Sequence, residues 1–151
     1  MIVLDTNVLS ALMTPGKYPA VEAWLAPQNE ADLYLSVVTE AELRQGVLTL
    51  PAGKRRDTLA ADVEVTLLDF AARILPVDRA VATMCAAVVA SRRTLGRPIQ
   101  FADALIAATC KVHGAVLATR NTRDFEHCDL VLIDPSPLPS KRRSAGWTPT
   151  A

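Results

Sequence analysis

Along this chain, short apolar runs alternate with longer stretches whose apolar positions recur at helical spacing. Ile2-Val3-Leu4 opens the series as a strand, and Asn7 to Met13 follows as a helical turn closed by Thr14-Pro15-Gly16. A helix through Val21, Trp24 and Leu25 leads to a second strand near Leu33-Tyr34-Leu35. The next helix runs from about Val38 to Leu50, where Pro51-Ala52-Gly53 stops it. From Lys54 to Ile74 the positions Leu59, Val63, Thr66, Leu67 and Phe70 keep helical intervals, which predicts one long helix. Leu75-Pro76-Val77-Asp78 reads as a short third strand. Arg79 to Leu95 is a helix rich in small residues that Gly96 ends, and Pro98 suits the first turn of a following helix that stops at Gly114. Val116 to Thr119 and Leu130 to Ile133 are the fourth and fifth strands.

Strands that alternate with helices predict an α/β fold with a parallel sheet covered on both faces. A chain of 151 residues, half of them apolar, suits one domain with a sizeable core and needs no staples. That domain is expected over residues 1–135. Residues 136–151, rich in proline and carrying Lys141-Arg142-Arg143, read as a loosely ordered or contact-making tail.

Charge and cysteine content narrow the function classes. The formal charge is zero, with 16 basic and 16 acidic residues, against a nucleic-acid coating protein driven by phosphate neutralisation. Basic clusters at Lys54-Arg55-Arg56 and Arg92-Arg93 read as solvated helix faces. Cys85, Cys110 and Cys128 are an odd count without a close pair, and the first two fall in apolar helical stretches. Buried thiols in a reducing cytoplasm are expected rather than disulfides or a zinc site. The apolar start carries Asp5 and no basic leader, and no apolar run reaches the roughly 20 residues of a membrane helix, so a soluble cytoplasmic protein is expected.

Three acids stand where a carboxylate is costly unless it has a task. Asp5 breaks the first apolar run at the strand end where open parallel sheets deliver side chains to a crevice, with Thr6 and Asn7 beside it. Asp103 lies in the helical run Ile99 to Ala108, with Ile99, Ile106, Ala107 and Cys110 at four, three, four and seven positions from it, on a face that suits no unpaired charge. The third acid belongs to Thr39-Glu40-Ala41-Glu42-Leu43-Arg44. Each has a structural alternative. Asp5 could cap the next helix, Thr39 and Glu42 have capping-box spacing, and Asp103 could sit favourably in a first helical turn or pair with Arg97. Periodicity does not prefer Glu42 to Glu40. In Thr119-Arg120-Asn121-Thr122-Arg123-Asp124, Asn121 and Asp124 are candidates to complete the site, against roles as turn former and helix cap.

Oxygen ligands alone select magnesium, or manganese, over zinc or copper. Gathered carboxylates repel one another and raise each other's pKa, which a hard divalent cation relieves. The chemistry expected is hydrolysis of a phosphodiester by a metal-activated water, with Asp5 and Asp103 as direct ligands. Thr119, Arg120 and Arg123 are candidate substrate-binding residues, the arginines for phosphate. His113 and His127 lie near helix ends without ligand spacing and read as structural.

Four segments in order resemble the PIN-domain ribonucleases, and in particular the VapC and FitB-like toxins of bacterial toxin-antitoxin pairs: Met1 to Ser10, Ser36 to Val47, Phe101 to Ala108 and Ala118 to Phe125. The resemblance runs from Met1 to about Pro135. It implies a sheet of order 3-2-1-4-5, magnesium-dependent RNA cleavage, a homodimer, and inhibition by a small antitoxin through which the pair binds its operator DNA. It also selects Glu42, as ligand of a second metal or as the group that orients the attacking water. Many members carry an acid where this chain has Asn121, which puts a second metal in doubt.

Two competing readings are a non-catalytic subunit of a DNA-bound repressor complex and a haloacid-dehalogenase-like phosphatase. The phosphatase chemistry wants a second Asp two residues after the first, where this chain has Asn7.

Overall fold

The structure is a computed structural model that describes residues 1–136. Five parallel strands form one sheet: β1 (Ile2–Leu4), β2 (Leu33–Ser36), β3 (Ile74–Leu75), β4 (Val116–Ala118) and β5 (Leu132–Ile133), in the order β3-β2-β1-β4-β5. Six helices connect and cover them: α1 (Thr6–Leu12), α2 (Pro19–Leu25), α3 (Val37–Leu48), α4 (Lys54–Asp69), α5 (Arg79–Thr94) and α6 (Phe101–His113). Ile2 pairs with Leu33 on one side and with Val116 on the other, so β1 is central. The fold class and strand order are those expected.

Alternation along the central strands sends neighbouring residues into two cores. Val3 and Leu117 pack with Val81, Cys85 and Val88 of α5 and Ile106 of α6. Leu4, Leu35 and Ala118 pack with Val8 of α1, Leu43 and Val47 of α3, and Val63 and Leu67 of α4. Side chains such as Leu4, Leu35, Ile106 and Leu117 are fully buried. Each such side chain stabilises the fold by about 1.5–3 kcal/mol relative to exposure. Cys85, Cys110 and Cys128 are free and buried, as expected, and burial pushes the Cys110 thiol up to about 12.

Three boundaries differ from the sequence reading by three residues or more, and others by one or two. The long helix ends at Asp69, and a 3₁₀ turn, Ala71–Arg73, precedes the third strand. Arg73 lies over the Phe70 ring, 4.8 Å from its centroid, and donates to the Asp69 carbonyl at 2.8 Å and to the Glu30 carbonyl. The turn is thereby tied to the segment entering β2. The third strand is Ile74–Leu75 rather than Leu75 to Asp78, for Pro76 has no N–H to give a ladder. Pro98 lies outside the following helix, which starts at Phe101 after Gln100. Before it, Arg97 is fixed at both ends by Arg92: its N–H donates to the Arg92 carbonyl at 2.9 Å, and its carbonyl accepts from Arg92 Nε at 2.7 Å.

The proposed tail falls outside the described residues, apart from Ser136. Among the described residues no helix is long and apolar enough to cross a membrane.

Candidate active site

In the order 3-2-1-4-5, the connections leaving β1 and those reaching β4 run to opposite sides of the sheet. A crevice therefore opens beyond the carboxyl ends of these two strands, where open α/β sheets bind ligands. Its volume is about 250 Å³, and it is lined by Asp5, Thr6, Asn7, Ser10, Glu42, Asp103, Asn121, Asp124 and Phe125. Four of these are acids and none is basic.

Asp5 follows β1 directly and is 6% exposed. One carboxylate oxygen accepts the Thr6 N–H at 2.8 Å, so the residue does cap α1. The other accepts Asn7 Nδ2 at 2.8 Å and the Thr119 hydroxyl at 2.6 Å. Capping uses one oxygen and leaves the second to face its polar neighbours. Burial raises the Asp5 pKa above the usual carboxylate value, the bonds from Thr119 and Thr6 oppose the rise, and the charges of Glu42 and Asp124 add to it.

Asn7 joins three segments at this point. Its Nδ2 reaches Asp5 and, at 3.2 Å, the Thr119 hydroxyl, while its Oδ1 accepts the Arg120 N–H at 2.9 Å. The position where a dehalogenase-like phosphatase would need a second carboxylate is thus occupied by an amide that locks β1 to β4.

Glu42 comes from α3. That helix is capped by Ser36, whose hydroxyl accepts the Val38 N–H at 3.2 Å. Thr39 lies inside the helix, its hydroxyl buried without a partner among the described residues, so no capping box holds Glu42. Glu42 accepts a hydrogen bond from the Thr6 hydroxyl. Glu40 is engaged elsewhere: Arg44 Nε donates to it at 2.9 Å, one helical turn along.

Asp103 stands in the first turn of α6, as its second structural reading has it, but it makes no pair with Arg97, which reaches Glu126 at 3.4 Å. Its carboxyl is pushed up to about 6 by burial first and then by Asp5, Asp124 and Glu42, with Arg92 opposing. Asp124 lies in the 3₁₀ turn Thr122–Phe125, and Asn121 Nδ2 donates to it. Asn121 and Asp124 thus reach the crevice as a bonded pair.

Three candidates are placed differently. Thr119 is fully buried, its hydroxyl given to Asp5 and accepting the Asn121 N–H at 3.0 Å. Arg120 lies over the Tyr18 ring, 4.2 Å from its centroid, and Arg123 is exposed; neither lines the crevice. Ser10 and Phe125 do line it, and the sequence reading singled out neither. Ser10 lies one turn along α1 from Thr6, so the polar edge of that short helix was the signal for it. Phe125, 2% exposed, follows Asp124 and gives no polar signal of its own.

Among the described residues no three acid, histidine or cysteine side chains converge as a ready-made ligand group. Asp5, Glu42 and Asp124 are each held by a hydroxyl or amide neighbour instead. Each carboxylate has further lone pairs beyond those these neighbours use, so the same oxygens can face a cation. The donor set still suits a hard divalent ion, because every polar group lining the crevice offers oxygen, and four like charges share it without a cationic side chain among the described residues.

The family model described as PIN domain matches residues 2–130. The chain is 43% identical over 136 residues to Toxin FitB of Neisseria gonorrhoeae, covering 89% of this chain and 98% of the relative. It is 44% identical over 136 residues to VapC ribonuclease Y4jK of Sinorhizobium fredii, covering 89% and 97%. Among solved structures it is similar to the one described as FitAB bound to IR36 DNA fragment, with a TM-score of 0.85, 42% identity, and coverage of 91% of this chain and 97% of that one.

Proposed function

The chain belongs to the PIN-domain family, and from that premise we propose that it is a magnesium-dependent endoribonuclease, the toxin of a toxin-antitoxin pair. One observation carries the reading: Asp5, Glu42, Asp103 and Asp124, from four separate segments, line one crevice that holds no basic side chain among the described residues. Such a concentration of negative charge repels a phosphodiester unless a cation intervenes.

Asp5 and Asp103 are the direct ligands in this reading, with Glu42 and the Asn121–Asp124 pair beside them. A bound magnesium, or manganese, supplies charge neutralisation at the phosphate and a lowered pKa for the attacking water. The residues of the chain prepare for it. Thr119, Asn7 and the Thr6 N–H hold the Asp5 carboxylate in one orientation, and Thr6 aims Glu42 at the same crevice. Neutral donors hold the acids without cancelling their charge. With a cation bound, Glu42 would be the carboxylate that orients the attacking water, turned to the crevice by the Thr6 hydroxyl. Arg123, exposed on the turn that carries Asp124, is the candidate phosphate contact on the rim.

The relatives that pair with a second protein support an antitoxin partner, and with it operator binding through that partner. A groove of about 480 Å³ adjoins the acid crevice, shares Thr6, Ser10 and Glu42 with it, and is otherwise lined largely by apolar side chains such as Met13, Leu43, Leu50 and Leu59. A partner segment seated there would stand in the path to the acids. A homodimer in the cytoplasm completes the proposal. Its support is the apolar strip of Ala86, Val89, Ala90 and Phe101 along α5 and the start of α6, where Phe101 is 67% exposed.

Purified chain, free of partner, should cleave structured RNA when magnesium or manganese is supplied and stop when it is chelated. Asp5→Asn and Asp103→Asn should each lower the rate at least about a thousandfold, a loss of the several kcal/mol that metal ligation provides, while circular dichroism stays native. Cleavage that survives both substitutions would remove the mechanism. Turnover of a small phosphate ester in place of RNA would favour a phosphatase, and absence of metal affinity in the free chain would favour a non-catalytic subunit.

A further inference from the structure

Arg92, in the last turn of α5, is 5% exposed, the one buried basic side chain among the described residues. Among those residues no carboxylate pairs with it. Its guanidinium is spent on main-chain oxygens and one thiol: Nε donates to the Arg97 carbonyl at 2.7 Å, and Nη1 to the Asp124 carbonyl at 2.9 Å, to the Glu126 carbonyl, and to Cys128 Sγ at 3.5 Å. The Asp103 charge acts on it from a distance, but with no carboxylate bonded to it a guanidinium taken out of water costs several kcal/mol that an apolar side chain of similar size would not.

The two segments it joins are informative. Arg97 lies in the connection that delivers α6, and so Asp103, to the crevice; Asp124 and Glu126 belong to the turn that delivers the Asn121–Asp124 pair. Apolar packing joins both to α5, since Ile99 of the first and Phe125 and Cys128 of the second share a core with Val81, Cys85 and Val88, but their polar ties to that helix are few. The first closes with a helix-ending pair of bonds, Gly96 N–H to the Arg93 carbonyl at 3.0 Å and Arg97 N–H to the Arg92 carbonyl at 2.9 Å. The second meets Arg97 through the exposed pair with Glu126 at 3.4 Å, a contact of little energy. Among the described residues Arg92 is the α5 side chain that hydrogen-bonds to both, and its planar fork spans carbonyls that a lysine could not reach together.

We infer that Arg92 is a positioning residue of the metal site, holding the Asp103-bearing and Asp124-bearing segments at the separation a shared divalent cation requires. The inference rests on the metal-dependent reading above. A residue that acts behind the ligands in this way commonly changes metal affinity by about 10–100-fold when replaced.

Calorimetric titration of the purified full chain with Mn²⁺ tests it, with Arg92→Lys and Arg92→Gln compared to wild type. Both should bind Mn²⁺ at least about tenfold more weakly, and Arg92→Lys should recover most of its RNA-cleaving rate at saturating Mn²⁺, a shift in metal requirement rather than in maximal rate. Cys128→Ala, which loosens the same buried corner without removing a donor to either segment, should lower the melting temperature and leave Mn²⁺ affinity within about twofold of wild type, well short of the loss for a positioning residue. If the Arg92 variants do not fold, hydrogen exchange of the wild-type chain decides. Mn²⁺ should slow exchange in residues 95–100 and 122–128 together, and protection confined to residues 5–7 and 42 overturns the inference. Native variants with unchanged Mn²⁺ affinity also overturn it. A wild-type chain that takes up no Mn²⁺ overturns the metal reading itself, and the role of Arg92 with it.

Discussion

Glu40 and Glu42 are two residues apart on one helix, and their environments separate them completely. Glu40 is neutralised by Arg44 on the outer side of α3, whereas Glu42 is turned to the crevice and held by the Thr6 hydroxyl. Asp103 carries the largest consequence of shared charge. Its carboxyl, raised from 3.8 to about 6 by burial and by its acidic neighbours, keeps in the folded chain a proton that the unfolded chain releases earlier. Between those two values the folded state binds more protons than the unfolded one, so this group's contribution to stability is present at low pH and is lost as pH rises through the window. The metal-free Asp103→Asn variant should therefore melt a few degrees above wild type at pH 7.5 and close to it at pH 4.5. Differential scanning calorimetry in chelator at the two pH values checks this, and an equal difference at both would show that Asp103 is not under charge strain. The same proton must leave before a cation binds, so Mg²⁺ affinity should fall as pH is lowered through about 6.

At the scale of elements, the chain turns from helix to strand or loop at defined points, and two of these depend on left-handed glycine. At Gly114, φ is +59°, the Gly114 N–H donates to the Lys111 carbonyl at 3.3 Å and the Ala115 N–H to the Cys110 carbonyl at 2.9 Å, after which β4 starts at Val116. Nothing lies within 4 Å of a Cβ placed there, so any cost of Gly114→Ala is conformational. That substitution should destabilise by about 1–2 kcal/mol, read as a fall of a few degrees in melting temperature, with cleavage rate retained below the melt. Gly96, at φ +68°, ends α5 in the same way and sends Arg97 back towards the Arg92 side chain. Both glycines were legible as helix stops, since a break in the apolar period followed by glycine is a local signal. The start of α6 was not. Pro98 has the local chemistry of a first helical turn, but the helix begins only at Phe101, beyond an Arg97 that is bonded back to Arg92 of α5. The third strand was misplaced at its far end for a local reason, Pro76 having no N–H to pair, while its start follows a turn that Arg73 anchors to the remote Glu30.

The whole molecule sets where chemistry can occur. Strand order places the carboxyl ends of β1 and β4 side by side, and the two cores hold the helices that carry Glu42 and Asp103 against opposite faces of that junction. The outer surface carries the prediction for this scale. If the strip around Phe101 is the contact between two copies, Phe101→Asp should convert a dimer to a monomer in light scattering after gel filtration, with Mn²⁺ affinity preserved. A wild-type chain that is monomeric at tens of micromolar would rule that contact out.

The fold class, most of the elements, and the candidacy of Asp5 and Asp103 were determined by the sequence alone, because apolar period and an acid within an apolar run are local properties that burial enforces wherever the chain goes. Tertiary structure decided the rest: that Glu42 rather than Glu40 faces the crevice, that Thr119 serves Asp5, that Arg120 rests on Tyr18, and that Arg92, which sequence placed on a solvated face, is buried. Each of these depends on a partner distant along the chain. Which of two neighbouring side chains meets such a partner is settled only when the sheet brings the segments together.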